Sequence, residues 1–305
     1  MANTTSALRP EIWSLIAIDT LRANAKTPRL VHRNFEQEIA AFGDTVNVHS
    51  PTAATARDKA IGTDATFDDL NPGQVQIVLD QWKYAGFEVE DLETALSKRD
   101  IVDFQIPEEV KALANAADVS LLSLHSDADT NVGTPGSDID ETDILTGLKE
   151  YWDNGGLADD QIYAAVATKE WENLLLRSNV IQANALHAGT QNDAPLIDGW
   201  KGGFMQRHGV GIYMDQNIQS TAGTPTTTHN LLFHRNAMAF VQRPLGDTVM
   251  PGLGVLASEV VDEVTGLAIR TKVTYRGKGM CHECVFDILY GVKTLNSGLL
   301  IDVNG

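Results

Sequence analysis

The chain has little cysteine: two in 305 residues, Cys281 and Cys284, three positions apart. Two thiols cannot supply a disulfide framework, which excludes a small cross-linked secreted domain. Long apolar runs are missing as well; none approaches the roughly 18 residues that a bilayer-spanning helix needs. The first residues have neither the basic start nor the apolar core of a secretory signal. No internal repeat is visible. Positive charge is scarce, with 23 Lys and Arg against 41 Asp and Glu and a net charge of −18. The imbalance is uneven, because residues 1–35 carry +3 and the other 270 carry −21. So acidic a body excludes a dedicated nucleic-acid binder, whose surface must neutralise phosphates. These absences predict a soluble protein made in a reducing cytoplasm.

The signatures of catalysis are equally thin. Gly199, Gly202, Gly203, Gly209 and Gly211 form neither a phosphate-binding loop nor a dinucleotide fingerprint. His208, His229 and His234 are scattered with no HExxH arrangement, and no G-x-S-x-G elbow occurs. Cys281-His282-Glu283-Cys284 invites a zinc reading, but a second ligand pair is missing. Positions three apart on a strand also point to opposite faces, so buried or interface thiols are expected, with redox and metal chemistry as the alternatives. Asp127, Asp129, Asp138, Asp140, Glu141 and Asp143 crowd residues 127–143 without the spacing of a calcium loop. A solvated loop is the expected outcome. No catalytic, cofactor or metal residue is assigned, and a metal-assisted hydrolase is the alternative from another functional class.

With 43% hydrophobic and 21% charged residues, the chain can bury a real core. A short helix follows Pro10, with Ile12, Leu15, Ile16 and residues 19–21 at helical spacing. Phe35 to Val48 reads as a broken strand bent at Gly43-Asp44, residues 49–73 as a polar tip, and Gln74 to Glu90 as the returning strand. Together they predict a long hairpin. Ile106, Val110, Leu113, Ala117, Leu121 and Leu124 form one stripe of a helix from Ile106 to His125, with Pro107 in its first turn. Residues 126–143 read as loop, Asp143 to Asn154 as helix stopped by Gly155-Gly156, and Ile162 to Ala167 as a buried strand. A helix capped by Thr168 follows, then a short strand at Val210 to Met214 and a strand-like segment at 231–242. Residues 244–266 read as a connection. From Leu267 to Tyr275 every second residue is apolar or β-branched, predicting a half-buried antiparallel strand. Val285 to Val292 is apolar almost throughout, as in a strand covered on both faces. A turn at Asn296-Ser297-Gly298 leads to a closing strand, Leu299 to Val303.

Four stretches carry a resemblance. Phe35-Glu36-Gln37-Glu38 precedes Gly43-Asp44-Thr45-Val46, and Leu196-Ile197-Asp198-Gly199 leads to Gly211-Ile212-Tyr213-Met214. His234-Arg235-Asn236-Ala237-Met238-Ala239-Phe240 is the third, and Tyr290-Gly291-Val292 before Leu299 to Val303 the fourth. In this order they resemble tailed-bacteriophage major capsid proteins of the Hong Kong 97-type fold. The resemblance covers nearly the whole chain. It implies an α+β fold with an N-terminal arm (1–35), an extended hairpin loop (36–90) and a peripheral domain with a spine helix (91–130). An axial domain (131–255) and C-terminal peripheral strands (256–305) complete it. It further implies a homo-oligomer of pentamers and hexamers, closing an icosahedral shell around double-stranded DNA. Such a shell assembles in the host cytoplasm and becomes part of the virion. With no fused scaffold of about a hundred residues in view, a separate scaffolding protein is expected, together with a portal and decoration proteins. Trp13, Arg22, Arg29 and Arg33 of the arm and Lys59, Asp68 and Asp69 of the loop are the expected intersubunit contacts. Relatives join a loop lysine to an asparagine, for which Lys59 and Asn296 are the nearest equivalents. An encapsulin-like cargo shell is the alternative within the same fold.

Overall fold

The computed structural model describes residues 10–33, 45–50, 56–59, 61, 62, 64, 67, 69, 73–91, 101–156, 161–176, 204–207, 209–243, 245, 246, 255–261 and 267–305. Two sheets share one core. The first is built on β13 (Cys281–Thr294), the longest strand. On one side β13 pairs antiparallel with β3 (Gln81–Glu90). On the other it pairs with β12 (Ala268–Arg276) and then with β10 (Met238–Arg243). β11 (Val255–Val261) lies outside β12. The pairings put Phe87, Cys284, Phe286, Ile288, Tyr290, Val273, Ile269 and Phe240 on one face. That face packs on helices α1 (Pro10–Asn24) and α2 (Ile101–Leu122).

The second sheet runs β4 (Thr130–Gly133), β14 (Leu300–Asn304), β9 (Thr227–His234), β5 (Ile162–Val166), β7 (Val210–Met214) and β6 (Phe204–Arg207). The short β8 (Ser220–Thr221) pairs with the start of β9. One face of this sheet, with Ala165, Tyr213, Leu231, Phe233 and Leu300, joins the same core as α2. The other, with Ala164, Ile212, Leu232, Ile301 and Val303, is covered by Ile144, Leu148 and Tyr151 of α3 (Glu141–Asp153) and by Trp171 and Leu174 of α4 (Thr168–Leu176). A separate antiparallel pair, β1 (Thr45–Ser50) and β2 (Gly73–Val78), places Val46, Ile77 and Leu79 against Ala239 and Val241 of β10. Among the described residues no helix is long and apolar enough to cross a membrane.

The α2 stripe packs as its spacing predicts: Ile106, Val110, Leu113, Ala117 and Leu121 are buried and Leu124 is partly buried. The helix nevertheless starts at Ile101, so Pro107 is interior rather than first-turn. At about 1.5 Å per residue its 22 residues run about 33 Å. In α1 the inward face is Ser14, Ala17, Ile18 and Leu21, with Ile16 packed beside it, while Leu15 is exposed. Residues 74–90 are two strands, because the chain turns at Leu79 and Asp80 to leave β1 and join β13. Residues 126–143 include β4, which needs β14 to pair with. The 231–242 segment is likewise two strands, and a 3-10 turn at Arg235–Ala237 carries the chain from one sheet to the other. The connection at 244–266 contains β11. Ala167, not Thr168, precedes the first turn of α4. Gly155 stops α3 at φ +82°, where L residues are strained. Of the broken strand, residues 35–44 lie outside the described residues.

Candidate functional site

The outer face of the first sheet holds a buried charge next to exposed aromatic surface. Residues directly opposite across antiparallel strands share a face, so Arg270, Asp287 and Tyr84 stand together. Arg270 Nε donates to Asp287 Oδ1 at 2.9 Å, its second fork nitrogen donates to Oδ2, and Trp82 Nε1 also donates to Oδ2 at 3.1 Å. Asp287 and Arg270 are buried, yet Trp82 is 63% and Tyr84 76% exposed. The strict alternation expected of β12 fails here: Arg270 falls on the polar side of the pattern and is buried by its ion pair.

A second cluster joins residues that are far apart in sequence. His125, in the 3-10 turn after α2, stacks on His229 of β9 with centroids 4.0 Å apart and planes at 8°. Nδ1 of His229 lies 2.7 Å from Oδ2 of Asp302 on β14, and its Nε2 lies 2.8 Å from Thr221 Oγ1. Burial, then the neighbouring His229, lowers the pKa of His125, and burial raises that of Asp302. Among the described residues this is the only group of three His, Cys, Asp or Glu donors close enough to share an ion. In the sequence His229 stands among scattered histidines with no motif around it.

The third cluster pins the segment after α1 to the body. Thr27 N–H donates to Asp118 Oδ1 of α2 at 3.0 Å, and Thr27 Oγ1 lies 3.1 Å from the Tyr213 hydroxyl of β7. Asp215 follows β7 and is buried. Burial, then the Asp215 charge, pushes the Asp118 pKa up to about 7.

Neither motif singled out for metal chemistry assembles. Cys281 and Cys284 are free, buried thiols on opposite faces of β13. Burial pushes the Cys284 thiol up to about 11, so iodoacetamide at pH 8 should alkylate it at least tenfold more slowly in folded protein than in urea. An equal rate in both would contradict this burial. In the acidic stretch Asp127 accepts from Thr294, Asp129 from Ser297, and Asp138 pairs with Lys169 at 2.8 Å. Asp143 accepts the Asp140 backbone N–H at α3's start. These carboxylates cap and tether rather than converge.

No family model and no curated protein matches this sequence. Solved structures do match. A structure from Mycobacterium phage Che8 aligns at TM-score 0.62 and 20% identity, over 90% of this chain and 89% of the other. The head of Helicobacter pylori bacteriophage KHP40 aligns at TM-score 0.60 and 9% identity, over 86% and 85%. This chain has the phage capsid fold. A virus-like particle from Pyrococcus furiosus shares the fold at TM-score 0.54 and 12% identity, over 96% of this chain and 98% of the other. The mixed helix-and-sheet class expected from the sequence is the class of this capsid fold. Within it, the residues expected at subunit contacts are spread widely. Trp13 and Arg22 are in α1, and their side chains lie outside the described residues, as does Asp68. Arg29, Lys59 and Asp69 are exposed. Arg33 stacks over Phe240 of its own chain, 5.4 Å from the ring centroid. Asn296 accepts from the Gly298 N–H in its turn, and nothing described brings Lys59 to it.

Proposed function

We propose that this chain is the major shell subunit of a tailed-phage head, assembling into pentamers and hexamers around double-stranded DNA without catalysis. The likeness to phage capsid structures over about nine-tenths of both chains supports this reading most directly. In it, residues 1–35 are the arm, 36–90 the extended loop, and 91–130 with 256–305 the peripheral domain around the spine helix. Residues 131–255 form the axial domain, whose sheet β14 extends. Trp13, Arg22, Arg29, Arg33, Lys59, Asp68 and Asp69 are the contacts to neighbouring copies, and the exposed Trp82 and Tyr84 give a neighbour an apolar surface to cover. The net charge of −18 keeps the lining from holding DNA by phosphate neutralisation. A scaffolding protein, a portal and decoration proteins are the partners. Assembly takes place in the host cytoplasm, and the product is the virion.

Electron microscopy and light scattering of the purified chain, alone and with the products of neighbouring genes, test this reading. Uniform closed particles tens of nanometres across are expected on the size scale of such shells. A stable monomer or small dimer under every condition would overturn it. A cargo compartment is the second reading, kept because the Pyrococcus furiosus virus-like particle shares the fold, and particles that purify with one protein and no packaging partner would select it.

A further inference from the structure

We propose that His125, His229 and Asp302 bind one divalent transition-metal ion of the zinc class, fastening the end of α2 to the β9–β14 pair. Their donor atoms already lie within 4.8 Å of one another. A zinc ion with bonds of about 2.0–2.2 Å holds its ligand atoms roughly 3.3 Å apart, so rotation of the side chains, chiefly that of His125, closes the site.

The backbone is arranged for it. Leu231 pairs with Asp302 and His229 with Asn304 across β9 and β14, which makes His229 and Asp302 diagonal neighbours on one sheet face. α2 packs on that face, and the 3-10 turn after it delivers His125 above them. Two imidazoles and a carboxylate are the donor set of borderline ions such as zinc, nickel and cobalt, and not of calcium or magnesium, which take oxygen.

One further observation points to a missing ligand. Asp302 is 3% exposed, and its Oδ1 accepts no hydrogen bond, a costly state for a buried carboxylate. The rings are stacked nearly parallel at 4.0 Å, so one of them, the partly buried His125, must tilt out of the stack to bring its lone pair to an ion shared with His229 and Asp302. On binding, the ion replaces the proton between His229 Nδ1 and Asp302 Oδ2, which leaves to solvent. Three bonds form, to His125, His229 and Asp302, and water fills a fourth position. Thr221 stays on the other nitrogen of His229 and holds the ring orientation, as outer-shell partners of metal-bound histidines do.

The test uses the full chain, stripped with EDTA and titrated with zinc chloride, with cobalt chloride as the coloured reporter. One ion per chain with micromolar or tighter affinity is expected, along with the visible absorption of four-coordinate cobalt and a higher unfolding temperature. His125→Gln, His229→Gln and Asp302→Asn should each weaken binding about a hundredfold, in line with loss of a ligand. His125 is only partly buried, so His125→Gln gives a decisive result even if the buried substitution spoils folding. Zinc binding no tighter than about 100 µM in the unaltered chain would overturn the proposal. So would tight binding that survives all three substitutions.

Discussion

Arg270→Ala should destabilise the subunit by about 3–5 kcal/mol, because it strands Asp287 as a buried charge with only Trp82 to solvate it. Asp287→Ala should cost a similar amount from the other side. The double variant Arg270→Met/Asp287→Leu should recover most of the loss, since two apolar groups leave no charge unpaired. Denaturant unfolding of the unassembled subunit reads all three. The coupling is the informative quantity: single losses under about 1 kcal/mol would mean that water reaches the pair and screens it, as at an exposed salt bridge. The pair also aligns three strands. Arg270 projects from β12, Asp287 from β13 and Trp82 from β3, so losing the bidentate fork loosens the register on which the exposed aromatic face depends.

The second large effect follows from Asp118. Its folded pKa is about 7, against about 3.9 for an unfolded aspartate. Between these values the folded chain holds a proton that the unfolded chain has released, so stability falls as pH rises. The contribution is fully present below about pH 4 and is lost on passing upward through pH 7, with an upper limit of about 4 kcal/mol. Asp215 opposes the ionised form, the Thr27 and Lys26 backbone favours it, and the Lys26 ammonium is turned to the Met214 carbonyl at 3.3 Å. Asp118→Asn keeps an acceptor for the Thr27 N–H and removes the titration. Unfolding midpoints measured from pH 5 to 8.5 should fall in the natural chain and stay level in the variant, with the variant more stable at pH 8. Parallel pH profiles would rule out Asp118 as the source.

Much of this arrangement is readable from local pattern. The α2 stripe, the α3 stop at Gly155, β5, β7 and the apolar run within β13 all show in residues close together in sequence. What escaped depends on partners far along the chain. Leu79 and Asp80 look like the middle of one strand, and only the separate pairings of β2 and β3 make them a turn. His234 to Phe240 likewise reads as continuous until two sheets claim its two ends. β4 is four residues, too short for a periodicity, and exists because β14 lies beside it. Arg270 violates the alternation of β12 because Asp287, on another strand, satisfies it. The histidine cluster left no spacing signal at all: its donors come from a 3-10 turn and two strands, brought together by the packing of α2 on the second sheet.

The longest strand also sets the timing of folding. β3 is made early in synthesis but has no described strand partner except β13, and β4 must wait in the same way for β14. Both sheets therefore keep open edges until residues 281–304 emerge. At roughly 5–20 residues per second a ribosome leaves β3 unpaired for about 10–40 seconds, exposing Trp82 and Tyr84 on an unsatisfied edge of the kind that invites aggregation. Closure then demands pairings of very long sequence separation, which are slow. A ribosome stalled before residue 281 should therefore yield insoluble product, and a general chaperone added during synthesis should reduce it.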